Sequence, residues 1–261
     1  MTATMTATTT AAGRLTALGR AEITLLVRNR SSLFVALALP ALMVVAVRNS
    51  LGSLDLAGTG IDPDTALMTS GTGLALVLVV HMNLVSAYVA RREDLMLKRL
   101  RTGEASDAEI LAGSALPAAA LALAQCAALG AAGAALLGTG APKQPWLLAA
   151  GVLLGVVLMA VLAAATSAVT RTVESAQITT LPMLLLSSVG SGLVLPAALL
   201  PDQLARLGEL LPLTGAMTLV RAGWTGGAEP AELATAALGA LAWTLLGVFA
   251  VRRWFRWEPR R

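Results

Sequence analysis

Between Trp146 and Val169 the chain runs 24 residues without one charged side chain. As a helix rising about 1.5 Å per residue, such a run spans the ~30 Å hydrocarbon layer of a bilayer. Charge-free apolar runs also cover Ser31–Val47, Ala66–Ala90, Ile110–Leu137, Ile178–Leu200 and Leu233–Val251. Six such runs predict six transmembrane helices, the shortest, Ser31–Val47, continuing at its N-terminal end. None shows the alternating ten-residue strands of a membrane barrel. Composition agrees. Only 13% of residues are charged, about half the ~25% of a soluble domain. An apolar content of 56% and a mean hydropathy of +0.75 exclude a disordered chain. The single cysteine, Cys126, excludes a disulfide scaffold and reads as a buried thiol. The predicted fold class is an all-α polytopic membrane protein.

The basic residues give the direction of the spans. Fifteen of the nineteen Lys and Arg fall in the N-terminal segment, the loops after spans two and four, and the C-terminal tail. Only Arg48, Lys143, Arg206 and Arg221 fall on the opposite side. Cytoplasmic loops carry the excess of Lys and Arg, so both termini are expected inside. The pI near 10.2 is then a topology signal rather than a nucleic-acid footprint. Residues 1–12, rich in Thr and Ala, are expected to form a disordered tail. They lack the features of a cleaved signal peptide. Residues 256–261 are expected to be a basic cytoplasmic tail.

Motifs of catalysis are missing from the sequence. It holds no G-x-x-x-x-G-K-[ST] phosphate loop, H-E-x-x-H, C-x-x-C or G-x-S-x-G. One histidine, His81, rules out a multi-histidine metal site within the chain. No predicted span contains Asp or Glu, so His81 lacks the carboxylate partners of a proton relay. It reads as a neutral imidazole hydrogen-bonded between helices. A membrane-embedded enzyme is disfavoured on the same grounds, and an ion-coupled carrier is weakened.

Three stretches outside the predicted spans carry more information. Gly13–Ser32 has the pattern of an interfacial helix, with Leu15, Leu18, Leu25 and Leu26 on one stripe and Arg14, Arg20 and Arg28 off it. Glu22 interrupts the stripe and points to a polar partner at the inner membrane surface. In the loop after span two, Leu95, Leu97 and Leu100 alternate with Arg92, Lys98, Arg99 and Arg101. That pattern predicts a short helix with an apolar and a basic face. Thr102-Gly103 stops it, and Ser106-Asp107-Ala108-Glu109 is a capping box opening span three. A short helix tied rigidly to two spans can pass motion from a cytoplasmic partner into the membrane. Pro182, Pro196 and Pro201 punctuate the Leu-rich run of span five, and a moderately apolar segment holding Arg206, Glu209 and Arg221 follows it. This segment is expected to dip back into the membrane as an outer gate or plug.

Taken in order, these features resemble the membrane subunits of type-2 (ABC-2-like) ABC exporters, all-membrane permeases that pair with a separate ATPase. The resemblance rests on the amphipathic N-terminal helix, the six spans with termini inside, and two motifs. Arg92-Glu93 followed by Leu97-Lys98-Arg99-Leu100 is similar to the family's "RE…LKRLR" coupling loop, and Pro212-Leu213-Thr214 with Arg221 to its outer "P-L-T…R" helix. The family loop often reads "TP" where this chain has Thr102-Gly103-Glu104. The resemblance covers roughly residues 13–255.

It implies a transmembrane domain working as a homodimer or heterodimer above two ABC ATPase subunits, in a bacterial cytoplasmic membrane. ATP and Mg would be bound by the partner, with no cofactor in this chain. Arg92, Glu93, Asp94, Leu97, Leu100 and Arg101 would form the ATPase-coupling site, and Glu22 and Arg28 would act from the interfacial helix. Spans two and five would lie near the permease interface. Met82, Asn83, Met183, Leu184 and Ser187 would line a substrate pathway without a charged anchor, which fits a hydrophobic or amphipathic drug or natural product. The alternatives are export of a polysaccharide or lipid-linked glycan, or, in a different class, an ion-coupled carrier or a membrane scaffold. Within span four, Gly151-Val-Leu-Leu-Gly155 is compatible with close helix approach.

Overall fold

The computed structural model describes residues 62–134, 140–193 and 201–259, with isolated positions among the first 49. Eight helices and no strand occur among the described residues: α1 (Pro63–Glu93), α2 (Met96–Arg101), α3 (Asp107–Ala132), α4 (Pro145–Val169), α5 (Val173–Gly190), α6 (Asp202–Glu209), α7 (Thr214–Thr225) and α8 (Pro230–Trp254). Four of them, α1, α3, α4 and α8, are long and apolar enough to cross a membrane. These correspond to predicted spans two, three, four and six. Most of the predicted first span, together with Glu22 and Arg28, lies outside the described residues.

The predicted fifth span is displaced. The charge-free run Ile178–Leu200 is not one helix. Helix α5 begins earlier, at Val173, because Thr172 and Ser175 form a reciprocal capping box upstream of the charge-free run. It ends at Gly190, where Ser191 leaves the helix and Gly192 turns at φ 67°. A positive φ just past a helix C-terminus is the conformation glycine supplies without a Cβ penalty.

Side-chain contacts fix the direction of each helix. Gly155 of α4 lies against Leu76 of α1, and the C-terminus of α4 meets Arg92 at the end of α1, so the two run parallel. Helix α8 runs with them, since Leu147 packs near Leu233 and Ala237, while Val161 lies against Gly247. Helix α3 runs the other way: the Tyr88 hydroxyl donates to the Leu111 carbonyl (3.0 Å), and Leu129 packs on the cluster of Leu67, Met68 and Leu74. Helix α5 is antiparallel to α1 as well, with the Thr170 and Thr179 hydroxyls 2.8 Å apart at one end and Leu193 against Gly73 at the other.

This arrangement sorts the charges. Arg91, Arg92, Lys98, Arg99, Arg101, Arg171, Arg252, Arg253 and Arg256 gather at one end of the bundle. Lys143, Arg206 and Arg221 lie toward the other.

The core centres on the middle of α1. Leu76, Val77, Val80, Leu84, Val85 and Val89 are fully or almost fully buried, packed with Leu158, Met159 and Ala163 of α4 and Met217 and Val220 of α7. Residues Leu76–Met82 widen into a π-helix, which carries the buried His81 against the Met159 backbone. The imidazole sits between helices, as the sequence suggests, but neither ring nitrogen makes the expected hydrogen bond among the described residues.

Helix α7 is inlaid. It lies antiparallel to the first half of α4, joined by the glycine pair of that helix. A Cβ at Gly151 would meet the Val220 amide nitrogen at 2.8 Å, and one at Gly223 would meet the Leu148 nitrogen at 2.5 Å. Gly215 leaves equally little room beside the Ala236 carbonyl of α8. Bare backbone at these positions lets three helices touch along their main chains.

Candidate functional site

The linker between α1 and α3 forms a compact unit at the basic end. Helix α1 ends at Glu93, and the chain reverses through Asp94 and Leu95. Leu95 takes the left-handed conformation, φ 57°, as the only described non-glycine residue with a positive φ. A bulky residue there is strained. Sequence pattern places Leu95 on the apolar face of α2, whereas in the structure it is the turn residue and 41% exposed. Leu97 is the true anchor, fully buried, with Met96 and Leu100 half-buried beside it.

The stop after α2 follows the sequence expectation. The Thr102 hydroxyl donates to the Arg99 carbonyl (2.7 Å), and the Gly103 amide donates to Leu100 (3.1 Å). The capping box then forms as read: the Ser106 amide donates to the Glu109 carboxylate at 2.7 Å, and the Glu109 amide donates to the Ser106 hydroxyl at 3.3 Å. Helix α2 is thereby held between two spans by short, well-defined turns.

The structure divides the predicted coupling residues into two groups. Glu93, Asp94 and Arg101 are exposed, as are Lys98 and Arg99. Arg92 is not available to a partner. It is 1% exposed, and its guanidinium donates to the carbonyls of Ser167 (2.8 Å), Thr170 (2.5 Å) and Arg171 (3.3 Å). Those carbonyls belong to the C-terminal end of α4, which would otherwise present orphan acceptors and negative partial charge. Arg92 therefore caps α4 and ties it to α1. The first residue of the "RE…LKRLR" stretch holds the bundle together, and the charged residues after it lie on its surface. Spacing alone could not separate these roles, because α1 continues helically through Arg92 and its turn faces inward.

Arg101 is exposed but engaged. Its Nε donates to the Asp107 carboxylate at 3.0 Å, and its guanidinium lies 5.0 Å from the Trp257 ring centre. Lys98 pairs with Glu258 at 2.8 Å. Sequence reading missed these contacts because the last residues looked like a plain basic tail.

The five pathway candidates are spread over two helices. Met82 ends the π-helical stretch of α1 and is half-buried, and Asn83 follows it, exposed. Met183 and Leu184 of α5 are half-buried against the core, and Ser187 is buried. The outer face of α5, through Ile178, Leu181, Leu185 and Val189, is exposed in the single chain.

At the far end, the P-L-T stretch forms the corner between α6 and α7. Leu213 is fully buried, and the Thr214 hydroxyl donates to the Gly208 carbonyl at 2.7 Å. Trp243 of α8 steadies the same corner, its indole N–H donating to Leu210 (2.9 Å). An apolar cavity of about 450 Å³ opens between α3 and α4, with Cys126 and, from the C-terminal end of α7, Trp224 in its lining.

The described residues thus form an all-helical bundle with a charged surface helix strung between two candidate spans. Residues 14–224 match the family of ABC-2 type transporters, and the chain belongs to that family. No curated protein matches the chain.

Proposed function

We propose that the chain is the membrane subunit of an ABC exporter, in which α2 and the turn before it dock on a separate ABC ATPase. The observation that carries this reading is the exposed charged surface of Glu93, Asp94, Lys98 and Arg99 on a helix anchored by Leu97 and tied to two spans. The family assignment supports an ATPase partner, and the sequence contains no phosphate loop of its own. ATP and Mg then act in the partner, and the basic end faces the cytoplasm, as the excess of Lys and Arg favours. The chain carries both termini on that side of a bacterial cytoplasmic membrane.

The substrate class we favour is a hydrophobic or amphipathic compound. Met82, Asn83, Met183, Leu184 and Ser187 offer it apolar and neutral polar surface without a fixed charge. A second permease subunit covers the exposed face of α5 and closes the pathway. At the other end, α7 reaches as deep as Gly155, ten residues into α4 and so roughly 15 Å from its start. That depth supports a re-entrant α6–α7 pair acting as the outer gate.

The test is co-purification in mild detergent with candidate ABC ATPase subunits co-expressed from the same genome. The intact permease should capture the ATPase. Glu93→Ala and Leu100→Asp should weaken capture about tenfold, equivalent to ~1.4 kcal/mol, with membrane insertion unchanged. Undiminished capture by both variants would remove α2 from the interface. Failure of the intact permease to capture the ATPase would remove the exporter reading itself.

A further inference from the structure

Past α8 the chain does not trail into solvent. Phe255 leaves the helix with extended backbone, ψ 132°, and turns the tail toward α2. Its ring meets Tyr88 of α1 edge-on at 6.3 Å and Trp257 at 5.0 Å. Tyr88 is itself buried and hydrogen-bonded to α3 through Leu111. Trp257 lies against the Arg101 guanidinium, and Glu258 receives the Lys98 ammonium. Lys98 and Arg101 are three residues apart, so they share one face of α2. The tail meets that face with two complementary groups, an aromatic ring for the guanidinium and a carboxylate for the ammonium. Aromatic and ionic contacts thus run from α1 through the tail to the surface helix, beginning one residue beyond α8. The family match ends at residue 224, so membership does not assign this contact.

We propose that Phe255–Glu258 is a clasp that fastens the coupling helix to the last span, so that displacement of α2 draws α8 with it as well as α1 and α3. The clasp rests on the coupling reading of α2 given above. Trp257 and Glu258 are positioning residues in this account, acting through Arg101 and Lys98.

Two measurements on the whole chain, co-expressed with the ABC ATPase that it captures, test the clasp. The first is the distance between nitroxides placed at Arg99→Cys and Arg256→Cys in a Cys126→Ala background. The clasp predicts one short, narrow distribution that broadens in Trp257→Ala and Glu258→Lys. Trp257→Phe should keep it narrow, and so should the exchanged pair Lys98→Glu with Glu258→Lys. A broad distribution in the parent, or one that no variant alters, overturns the clasp. The second measurement is permease-stimulated ATP hydrolysis per captured ATPase. It should fall severalfold in Trp257→Ala and Glu258→Lys and stay at the parent's level in Trp257→Phe. Equal stimulation in all variants overturns the mechanical role. If the parent captures no ATPase, the coupling reading has failed, and the nitroxide distances still decide whether the clasp exists.

Discussion

At the basic end, α2 is held by one buried leucine, two short turns and contacts through exposed side chains, whereas at the other end α7 is held by its main chain. Gly151, Gly215 and Gly223 bring α7 into backbone contact with α4 and α8. Lys98 and Glu258, by contrast, pair with their side chains more than half exposed. Exposed ion pairs contribute roughly 0–1 kcal/mol and exposed cation–π contacts about 0.5–1 kcal/mol. Main-chain contact tolerates no added atom, while side-chain contact can be broken and remade. The contrast suits a gate element locked into the bundle and a coupling element able to shift.

The contrast can be broken most directly at its rigid side. Gly215→Val should destabilise the protein by about 3 kcal/mol or more, since overpacking a tight contact costs ~1–3 kcal/mol even where side chains can yield, and here the neighbour is backbone. A large fall in detergent melting temperature, or no folded protein at all, is the expected result. Little change would mean α7 is not inlaid as described. Next comes Arg92→Met, expected to cost about 2–3 kcal/mol by leaving the α4 carbonyls without their charged donor. Arg92→Lys should recover only part of that loss, because one ammonium cannot reproduce the guanidinium fork. Full recovery by lysine would argue against the capping geometry.

Smaller effects sharpen the flexible side. Ser106→Ala should cost about 1 kcal/mol through loss of the α3 cap. Leu95→Gly should have the opposite sign locally, relieving roughly 1 kcal/mol of left-handed strain. It also adds backbone freedom to the hinge before α2. Thermal unfolding of the two variants side by side checks both signs, and a Leu95→Gly protein clearly less stable than Ser106→Ala would refute the strain argument.

Much of this was legible in the sequence. The run Trp146–Val169 matches α4 to within one residue because length and apolarity alone define a helix crossing lipid. The Ser106–Glu109 cap was legible because it is a local pattern with a fixed spacing. Helix α5 was misplaced because its ends depend on a Thr172–Ser175 box lacking the usual Glu, and on one glycine turn. The burial of Arg92 was not legible because an arginine at a helix end looks the same in sequence whether it meets water or a neighbouring helix's carbonyls. The tail contacts were invisible for a further reason: Lys98 and Glu258 are 160 positions apart, and only the fold brings them together.

Site-directed crosslinking tests the central claim, that the exposed surface of α2 is the docking site for the ATPase. In a Cys126→Ala background, a single cysteine replaces Arg99 on α2 or Arg206 on α6, both exposed and at opposite ends of the bundle. With the co-purified ABC ATPase present and a short photoactivatable reagent on the thiol, the account predicts an adduct from position 99 and none from position 206. An adduct from 206 alone, or none from 99 in a complex that still co-purifies, would contradict it.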